Sequence, residues 1–374
     1  MNNLRIIVAA TSDLATDQRL SRHCTALHEC GYEIILRGRV LKGSLPVEHR
    51  PYQTRRVKHL FRRGPFFYAE YNTRLFFYLL FTRFDIVNSN DLDTLPACYL
   101  ATWLKRKPLV YDSHEYFTGV PELSGRPVAK KIWETIEKLM LPKVEHFITV
   151  NRSIASAYSA RYGNNIDVVR NLPVPAGIIP PAKPNKFGLP DTKKIIIMQG
   201  AGINIDRGAE EAVRCMHLTS DYILVIAGKG DAVPGLRKMV KEEGLDEKVF
   251  FVPPMHRENL LQLTSLCSCG LSLDKASNLN YLYSLPNKLF DYIMAGIPVV
   301  VSDLPEPRRI IEQYEVGVVA GCLSPKGLSE KINEVLAKPP VKWKANLEKA
   351  AKELNWECEK HKLLAVYQRI EPGS

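Results

Sequence analysis

Short apolar segments alternate with longer amphipathic segments along nearly the whole chain, and this alternation constrains the fold more than any other feature. The apolar segments have the length of buried strands, and the segments between them repeat apolar residues at helical spacing. Strands that alternate with helices form parallel sheets, because the connection between parallel neighbours crosses over through a helix. The sequence therefore predicts an α/β protein.

The predicted elements form two groups, separated by a proline-rich stretch. The first group has strands at residues 4–10, 33–36, 85–88, 109–112 and 146–150, and helices at 17–30, 66–83, 95–105, 128–141 and 153–161. The second has strands at 194–199, 222–227, 249–252, 269–272 and 299–302, and a last helix covers 356–370. Residues 171–192 contain six prolines, which cannot continue a helix or donate in a sheet. Because 374 residues exceed one ordinary core, we predict domains at 1–170 and 193–355, an extended linker at 171–192 and a C-terminal helical segment at 356–374.

Composition excludes several classes of protein. Hydrophobic residues make up 45% of the chain, as in a globular protein, and no apolar stretch approaches the roughly 20 residues of a membrane span. The N-terminus is predicted to enter a strand directly, without a signal peptide. The eight cysteines form no Cys-x-x-Cys pair, so we predict buried free thiols in a reducing cytoplasm and no zinc site.

Positive charge is concentrated in the first half of the chain. The net charge is +11, and residues 1–170 hold 25 basic residues against 16 acidic ones. Residues 37–63 alone hold nine basic side chains and one acid, Glu48, next to the aromatic stretches 66–68 and 75–81. This cluster fits either a solvated loop region or a contact with an anionic membrane surface, where each basic residue contributes about 1 kcal/mol. No recognition-helix, zinc-finger or RNP-like pattern accompanies it, so nucleic acid is not an expected partner.

Residues 284–301 combine a helix start, a helix end and a buried strand. Ser284 can cap a helix and Pro286 suits its first turn, while a glycine at 296 and a proline at 298 end the helix before the strand. A helix start presents unbonded N–H groups and a partial positive charge, to which Lys288 adds a full charge. Asp291 lies one turn further, where its carboxylate can accept hydrogen bonds from ligand hydroxyls. The segment therefore predicts a site for a nucleoside diphosphate and its ribose.

This segment resembles the donor site of the family 4 glycosyltransferases, which are retaining enzymes of the GT-B fold. Their motif has two glutamates separated by seven residues and a Gly and Pro-Val-Val ending; here Tyr283 stands at the first acidic position and Asp291 at the second. The resemblance implies two Rossmann-like domains that face each other across a cleft, an acceptor-binding first domain, and a C-terminal helix that crosses back to it. The donor-binding residues that it implies in this segment are Tyr283, Ser284, Asn287, Leu289 and Asp291.

A glycine-containing loop after the strand at 194–199 is similar to the first loop of the family's donor domain. In that loop glycines let the backbone approach the diphosphate, and Arg207 occupies the place of a basic residue that contacts phosphate. A dinucleotide-binding fingerprint needs a third glycine where Ile205 stands, so the loop argues against an oxidoreductase. The turn at 227–231 is similar to the family's turn under the nucleotide base. The resemblance thus adds Gly200, Gly202 and Gly228 to the donor site, and it makes Arg207 and Lys288 the cations that stabilise the leaving phosphate.

Three residues of the first domain complete the predicted site. His114 follows the strand at 109–112 and is similar to the family's strand-end histidine, which reaches the sugar and phosphate of the donor. Asp17 and Arg19 lie off the predicted buried stripe of the first helix and are candidates for acceptor binding, although Asp17 also fits a helix cap. Asp91 and Asp93 form the Asp-x-Asp pattern of the metal-dependent GT-A glycosyltransferases. A helix-capping role is sufficient for Asp93, and no metal is expected.

The resemblance predicts a metal-independent retaining hexosyltransferase with no cofactor beside its nucleotide-diphosphate sugar donor. It implies that the departing phosphate takes the acceptor proton, so that no carboxylate nucleophile is needed. The predicted acceptor is a hydroxyl of a saccharide or a lipid-linked glycan in surface polysaccharide synthesis, in the cytoplasm or at the inner face of the cytoplasmic membrane. Three alternatives stay open: a nucleotide-sugar epimerase of the same fold, a DNA glucosyltransferase that uses the basic first domain, and a non-catalytic sugar or lipid binder. Tyr283 in place of the first acid and Ala201 in place of a loop arginine keep the last one open.

Overall fold

The structure, a computed structural model, describes residues 4–370 and divides the chain into two units. In the described part, unit 1 comprises residues 4–171 and 359–370, and unit 2 comprises residues 172–358. Each unit is built on one parallel sheet with helices packed against it, as the alternation of strands and helices predicts.

Unit 1 contains a seven-stranded sheet in the order β3-β2-β1-β4-β5-β6-β7. Its strands are β1 (Arg5–Asp13), β2 (Glu33–Arg39), β3 (Gln53–Val57), β4 (Ile86–Asn90), β5 (Leu109–Ser113), β6 (His146–Thr149) and β7 (Ile166–Val168). Its first five helices are α1 (Gln18–Glu29), α2 (Gly64–Phe81), α3 (Leu95–Lys105), α4 (Pro127–Met140) and α5 (Arg152–Tyr162). The five predicted strands are confirmed. The edge strands β3 and β7 are not predicted, because β3 carries Arg55 and Arg56 instead of an apolar run and β7 has only three residues.

Unit 2 contains a six-stranded sheet in the order β10-β9-β8-β11-β12-β13. Its strands are β8 (Lys194–Gly200), β9 (Tyr222–Gly228), β10 (Val249–Val252), β11 (Cys269–Ser272), β12 (Val299–Ser302) and β13 (Gly317–Ala320). Its helices are α6 (Ala209–Cys215), α7 (Val233–Glu242), α8 (Arg257–Ser265), α9 (Leu279–Leu282), α10 (Asn287–Met294), α11 (Pro305–Tyr314), α12 (Pro325–Ala337) and α13 (Val341–Glu353). The edge strand β13 is again the one that the sequence pattern does not predict.

The proline-rich stretch is part of unit 2. Leu172 and Leu189 are buried in the apolar core of unit 2, and the backbone N–H of Trp356 donates to the carbonyl of Pro173 at 2.8 Å. Between these ends the stretch is mostly exposed, and Val174 and Ile178 are 41% and 98% exposed. The predicted linker at 171–192 is thus anchored in unit 2 at both ends, and its role as a linker stays a prediction.

The last helix, α14 (Trp356–Gln368), passes from unit 2 into unit 1 at residue 359. In unit 1 the carboxylate of Glu359 binds the guanidinium of Arg170 at 2.7 Å and also accepts the Arg170 backbone N–H. The amide of Asn88 donates to the hydroxyl of Tyr367, which is fully buried. The far end of the helix is thus held by polar contacts inside unit 1.

Two further sequence predictions concern cysteines and membrane spans. All eight cysteines are free, and five of them are buried, as predicted; Cys30, Cys322 and Cys358 are exposed. Among residues 4–370, no helix is long and apolar enough to cross a membrane.

Candidate functional site

The candidate site of unit 2 lies where the strand order of its sheet reverses. The chain runs from β8 outward to β9 and β10, then returns to β11 on the other side of β8. Gly200 is the last residue of β8, and Asp274 lies just beyond the carboxyl end of β11. Open α/β sheets bind ligands at such reversal points, outside the carboxyl ends of the strands.

Two basic side chains converge on Asp274. The Nη1 atom of Arg207 lies 2.5 Å from Oδ2 of Asp274, and Nζ of Lys288 lies 3.3 Å from Oδ1. Only 1% of the carboxylate is exposed, whereas 25% of the Arg207 side chain and 13% of the Lys288 side chain remain exposed. The guanidinium also stacks on the ring of Tyr281, 4.1 Å from its centroid. The group carries two positive charges and one negative charge, so it is able to hold an anion.

The helix that carries Lys288 begins later than the sequence suggests. Ser284 does not cap it, because its hydroxyl donates to the carbonyl of Tyr281 at 2.9 Å and closes the end of α9. Pro286 is the extended residue before α10 and supplies no side-chain cap. The first turn of α10 therefore presents its N–H groups at the end of the helix, with Asn287 exposed beside them. The predicted helix end at Gly296 is confirmed, with φ at +76°.

Asp291 lies one turn into α10, with 26% of its side chain exposed. The amide of Gln199 lies 3.5 Å from its Oδ2, and Nη2 of Arg257 lies 4.0 Å from its Oδ1. The carboxylate is therefore on the surface of unit 2 and not in its core. Leu289 faces the other way and is fully buried in the core, while its N–H bonds to the carbonyl of Pro286. The side chain of Leu289 thus belongs to the core, and donor binding by this residue stays a prediction.

Two glycine loops beside the site are joined by their backbones. The N–H of Lys229 donates to the carbonyl of Gly200 at 3.1 Å, and the N–H of Ile203 donates to the carbonyl of Lys229 at 2.9 Å. Gly228 has φ at +133°, and a Cβ atom there would lie 1.9 Å from the carbonyl oxygen of Gly200. At Gly200 itself a Cβ atom would meet nothing closer than 3.7 Å. Packing therefore requires glycine at 228, whereas neither packing nor strain explains the glycine at 200.

Gly202 and Tyr283 complete the predicted donor residues of unit 2. A Cβ atom at Gly202 would meet nothing closer than 3.7 Å, as at Gly200. Tyr283 follows α9, and its N–H closes that helix on the carbonyl of Leu279. Its side chain is half-buried.

In unit 1, His114 belongs to a cluster of charged side chains at the carboxyl ends of β4 and β5. Its Nδ1 lies 3.4 Å from Oδ2 of Asp91 and its Nε2 lies 3.7 Å from Oδ2 of Asp112. The backbone N–H of His114 donates to Oδ1 of Asp91 at 2.8 Å. Burial alone would lower the pKa of His114, but Asp91 and Asp112 raise it to about 9. The ring is therefore an imidazolium at neutral pH, and 22% of its side chain is exposed.

Arg19 holds this cluster together from inside the unit. Its Nη2 lies 2.7 Å from Oδ1 of Asp112, and its Nη1 donates to the carbonyl of Val169 at 2.9 Å. Burial alone would raise the pKa of Asp112, but Arg19 and the neighbouring histidines hold it well below its usual range. Arg19 is only 5% exposed and Asp112 is fully buried. The prediction that Arg19 lies off the buried face is therefore wrong, and acceptor binding by Arg19 stays a prediction.

Asp17 is the N-cap of α1. Its Oδ1 accepts the N–H of Leu20 at 3.0 Å, and its Oδ2 accepts the hydroxyl of Ser12 at 2.6 Å. Both carboxylate oxygens thus have a local structural role, and of the two hypotheses for Asp17 the structure favours the cap.

The Asp-x-Asp pattern is divided between two roles. Asp91 binds His114, as described above, and Asp93 accepts the hydroxyl of Thr11. Burial and the nearby Asp91 raise the pKa of Asp93 to about 7. Asp93 does not cap α3, since Thr94 occupies the cap position. Among the described residues, no three His, Cys, Asp or Glu side chains are grouped as metal ligands would be.

The sequence did not identify Asp274, Asp91 or Asp112 as partners of the predicted cations. Each follows or ends a predicted strand, and that position is a usable signal, because strand ends at the carboxyl edge face the ligand side of a parallel sheet. Their pairing with Arg207, His114 and Arg19 depends on the order of strands in the sheet.

Two families of known proteins match the chain. Residues 18–172 match the family described as Glycosyltransferase Family 4, and residues 181–354 match the family described as Glycosyl transferases group 1. No curated protein matches the sequence.

Three solved structures are similar over the whole chain. Sucrose-phosphate synthase from Thermosynechococcus elongatus is 16% identical with a TM-score of 0.78, covering 98% of this chain and 99% of its own. A glycosyltransferase from Rickettsia africae is 13% identical with a TM-score of 0.76, covering 100% of both chains. HepE from Anabaena, in complex with UDP-glucose, is 12% identical with a TM-score of 0.70, covering 98% of this chain and 100% of its own. At these identities the likeness shows the fold alone, and it confirms the predicted GT-B fold.

Proposed function

This chain belongs to the family 4 glycosyltransferases, and from that premise we propose that it transfers a hexose from a nucleotide-diphosphate sugar to an acceptor hydroxyl, with retention at the anomeric carbon. The observation that carries the proposal is the convergence of Arg207 and Lys288 on Asp274 at the strand reversal of unit 2. Two cations beside an uncapped helix start suit a diphosphate. The half-buried carboxylate of Asp291, one turn along the same helix, suits ribose hydroxyls.

The proposed reaction breaks the bond between the anomeric carbon and the β-phosphate oxygen and forms a bond to the acceptor oxygen. The leaving diphosphate gains negative charge as the bond breaks, and Arg207, Lys288 and the N–H groups of α10 stabilise that charge without reorganising. The acceptor proton passes to the departing phosphate, so no carboxylate nucleophile is required. The imidazolium of His114 supplies a further positive charge for the sugar phosphate in this proposal.

The finer parts of the proposal concern the donor, the acceptor and the place of action. HepE binds UDP-glucose in its solved complex, which supports a UDP-hexose as the first donor to try. We propose a saccharide or lipid-linked acceptor in surface polysaccharide synthesis, no metal requirement, and action in the cytoplasm at the inner membrane surface. Ala201 and Tyr283 support a second candidate, a non-catalytic binder of nucleotide-sugars, because both depart from the family motif.

The test is release of UDP or GDP from a panel of nucleotide-sugars, with and without metal chelator, combined with calorimetry of UDP and GDP binding.

Asp291→Ala is expected to weaken nucleotide binding about tenfold or more, because charged hydrogen bonds of this kind contribute about 1.5–3 kcal/mol. Asp246→Ala is the matched control, since it removes an exposed acid just before the amino end of β10, whereas the candidate site lies at the carboxyl ends of the strands. Equal nucleotide affinity in all three proteins would contradict the site, and binding without turnover would favour the non-catalytic binder.

A further inference from the structure

Four of the nine basic side chains of segment 37–63 bind other groups of unit 1. Arg37 and Arg39 stack on aromatic rings of α2, at 4.0 and 4.3 Å from the ring centroids. Arg50 and Arg56 donate to the backbone carbonyl oxygens of Leu14 and Leu45. The other five, Lys42, Arg55, Lys58, Arg62 and Arg63, are exposed, so contact of this segment with an anionic membrane stays a prediction.

Helix α2 exposes large aromatic side chains on the face that points away from the sheet. Phe66, Phe77 and Phe81 are 68%, 51% and 83% exposed. The opposite face of the helix is buried, at Phe67, Tyr71, Leu75 and Leu79. The outward residues recur at helical spacing, so they form one stripe along the helix.

Helices α3 and α4 continue this pattern. On α3, Trp103 and Leu104 are 66% and 52% exposed, and on α4, Val128, Ile132 and Leu139 are 73%, 52% and 59% exposed. In the described part of the chain, these three helices hold nine of the eighteen exposed large apolar side chains, although they comprise only 18, 11 and 14 residues. Such a concentration is unusual for a surface that meets only water.

The three helices lie side by side. The ammonium of Lys105 at the end of α3 donates to the carbonyls of Leu79, Leu80 and Thr82 at the end of α2. The ring of Tyr68 on α2 packs edge-on against Trp133 of α4, at 5.0 Å between centroids. The stripes therefore belong to one surface of unit 1, which we call the outer face of α2–α4.

The segments that carry this face contain more basic than acidic residues. Residues 58–83, 99–109 and 126–145 together contain 13 Lys and Arg but only four Asp and Glu. Two of the four acids have internal roles: Glu137 is fully buried, and Glu70 binds the backbone N–H groups of residues 60 and 61. Contact between two copies of this face would bring like charges together, so charge complementarity favours an anionic partner.

A pocket opens at the edge of the outer face, where β5 and β6 begin. Its volume is about 550 Å³, and its lining includes Trp103, Leu104, Arg106, Lys107 and Lys143. The guanidinium and ammonium groups can bind lipid phosphates, while the indole ring and the aliphatic side chain can contact the acyl chains below them.

We propose that the outer face of α2–α4 is the surface by which unit 1 binds an anionic lipid bilayer, with the pocket at Arg106 and Lys143 receiving a lipid phosphate. The aromatic and aliphatic side chains enter the headgroup region, and the basic side chains contact anionic headgroups. This inference rests on the membrane location in the proposed function but not on its donor chemistry.

The experiment is cosedimentation of the full chain with vesicles of phosphatidylcholine alone and of phosphatidylcholine with about 30 mol% phosphatidylglycerol. We expect binding to the anionic vesicles only, and weaker binding when salt is raised from about 0.1 M to about 0.5 M. The double variant Phe81→Glu/Trp103→Glu should bind at least about tenfold more weakly, because it places charges where apolar side chains enter the lipid. A second double variant, Arg106→Glu/Lys143→Glu, tests the pocket and should lose the preference for anionic vesicles.

Val341→Glu is the matched control, since Val341 is 70% exposed on α13 of unit 2. It should bind vesicles as the wild type does, and both double variants should keep wild-type affinity for UDP. Loss of vesicle binding with intact UDP binding separates this proposal from the donor site. Equal binding to both kinds of vesicle, or unchanged binding in both double variants, would overturn it. If the protein binds inorganic phosphate but no vesicles, and Arg106→Glu/Lys143→Glu loses that phosphate binding, the pocket is a site for a soluble anion. If the wild type is a dimer that dissociates in Phe81→Glu/Trp103→Glu, the face is an interface with a second copy.

Discussion

Asp274 accepts a hydrogen bond from Arg207 at 2.5 Å while its own carboxylate is almost completely buried. A buried carboxylate is costly unless it is paired, and here it has two cationic partners, Arg207 and Lys288. The arrangement keeps both cations beside the helix start before any ligand binds. Asp274 is thus a positioning residue for the proposed phosphate site.

Asp274→Asn is expected to reduce the free energy of unfolding by about 1–3 kcal/mol, because it leaves two neighbouring cations without their shared anion. Saturating UDP should restore more stability to this variant than to the wild type, since phosphate takes over the neutralisation. Thermal or urea unfolding with and without UDP measures both effects. Asp303→Asn is the control, because its pair with Arg308 is exposed and should contribute less than about 1 kcal/mol. Equal effects of the two substitutions would argue against a special role for Asp274.

Lys288→Gln is expected to lower turnover of the preferred nucleotide-sugar by about 10²–10³-fold, as loss of one preorganised charge at a developing anion does. Its effect on KM should be smaller, because the charge of the diphosphate grows as the bond breaks. Steady-state kinetics of nucleotide release distinguishes kcat from KM. Lys331→Gln, which removes an exposed lysine of α12, should leave both constants unchanged. A Lys288→Gln enzyme with wild-type kcat would contradict the leaving-group role.

His114 should titrate with a pKa of about 9, which an NMR titration of the imidazole can measure. Because this pKa is above the value of about 6.5 in an unfolded chain, the folded state binds more protons between these pH values. Protonation of His114 therefore stabilises the folded state by about 3 kcal/mol at most. This contribution is complete below pH about 6.5 and is lost as pH rises through about 9. The difference in unfolding free energy between wild type and His114→Asn should therefore shrink over this range. Asp91→Asn should lower the pKa of His114, and a wild-type value near 6.5 would refute the coupling.

Gly228→Ala is expected to destabilise unit 2 by about 2–4 kcal/mol, since the new methyl group collides with the carbonyl of Gly200 and the backbone is left-handed there. Gly235 on α7 offers the opposite case, because a Cβ atom there meets no atom within 4 Å and its φ is ordinary. Gly235→Ala should stabilise the protein by up to about 1 kcal/mol. Chemical denaturation of both variants checks the two signs, and a neutral Gly228→Ala would show that the loop relaxes freely.

Local sequence patterns were sufficient for the central strands and for the end of the helix that carries Asp291. Gly296 and the apolar run after it act through backbone dihedral angles and short-range burial, which depend on residues close in the chain. The same rules failed at three of the four sheet edges, β3, β7 and β13. Strand β3 has one neighbour only, so two arginines are tolerated there and no apolar run marks it.

The sequence by itself determined the α/β class, the two-sheet organisation and the residue types of the proposed phosphate site. Only the tertiary structure decided which carboxylate each cation meets, because Arg207 and Asp274 are 67 residues apart and Arg19 and Asp112 are 93 residues apart. The order of strands in each parallel sheet brings these pairs together, and that order is settled by packing over the whole unit. The structure also decided two details at short range: the side chain of Leu289 is buried in the core, and the hydroxyl of Ser284 donates to the carbonyl of Tyr281 instead of capping α10.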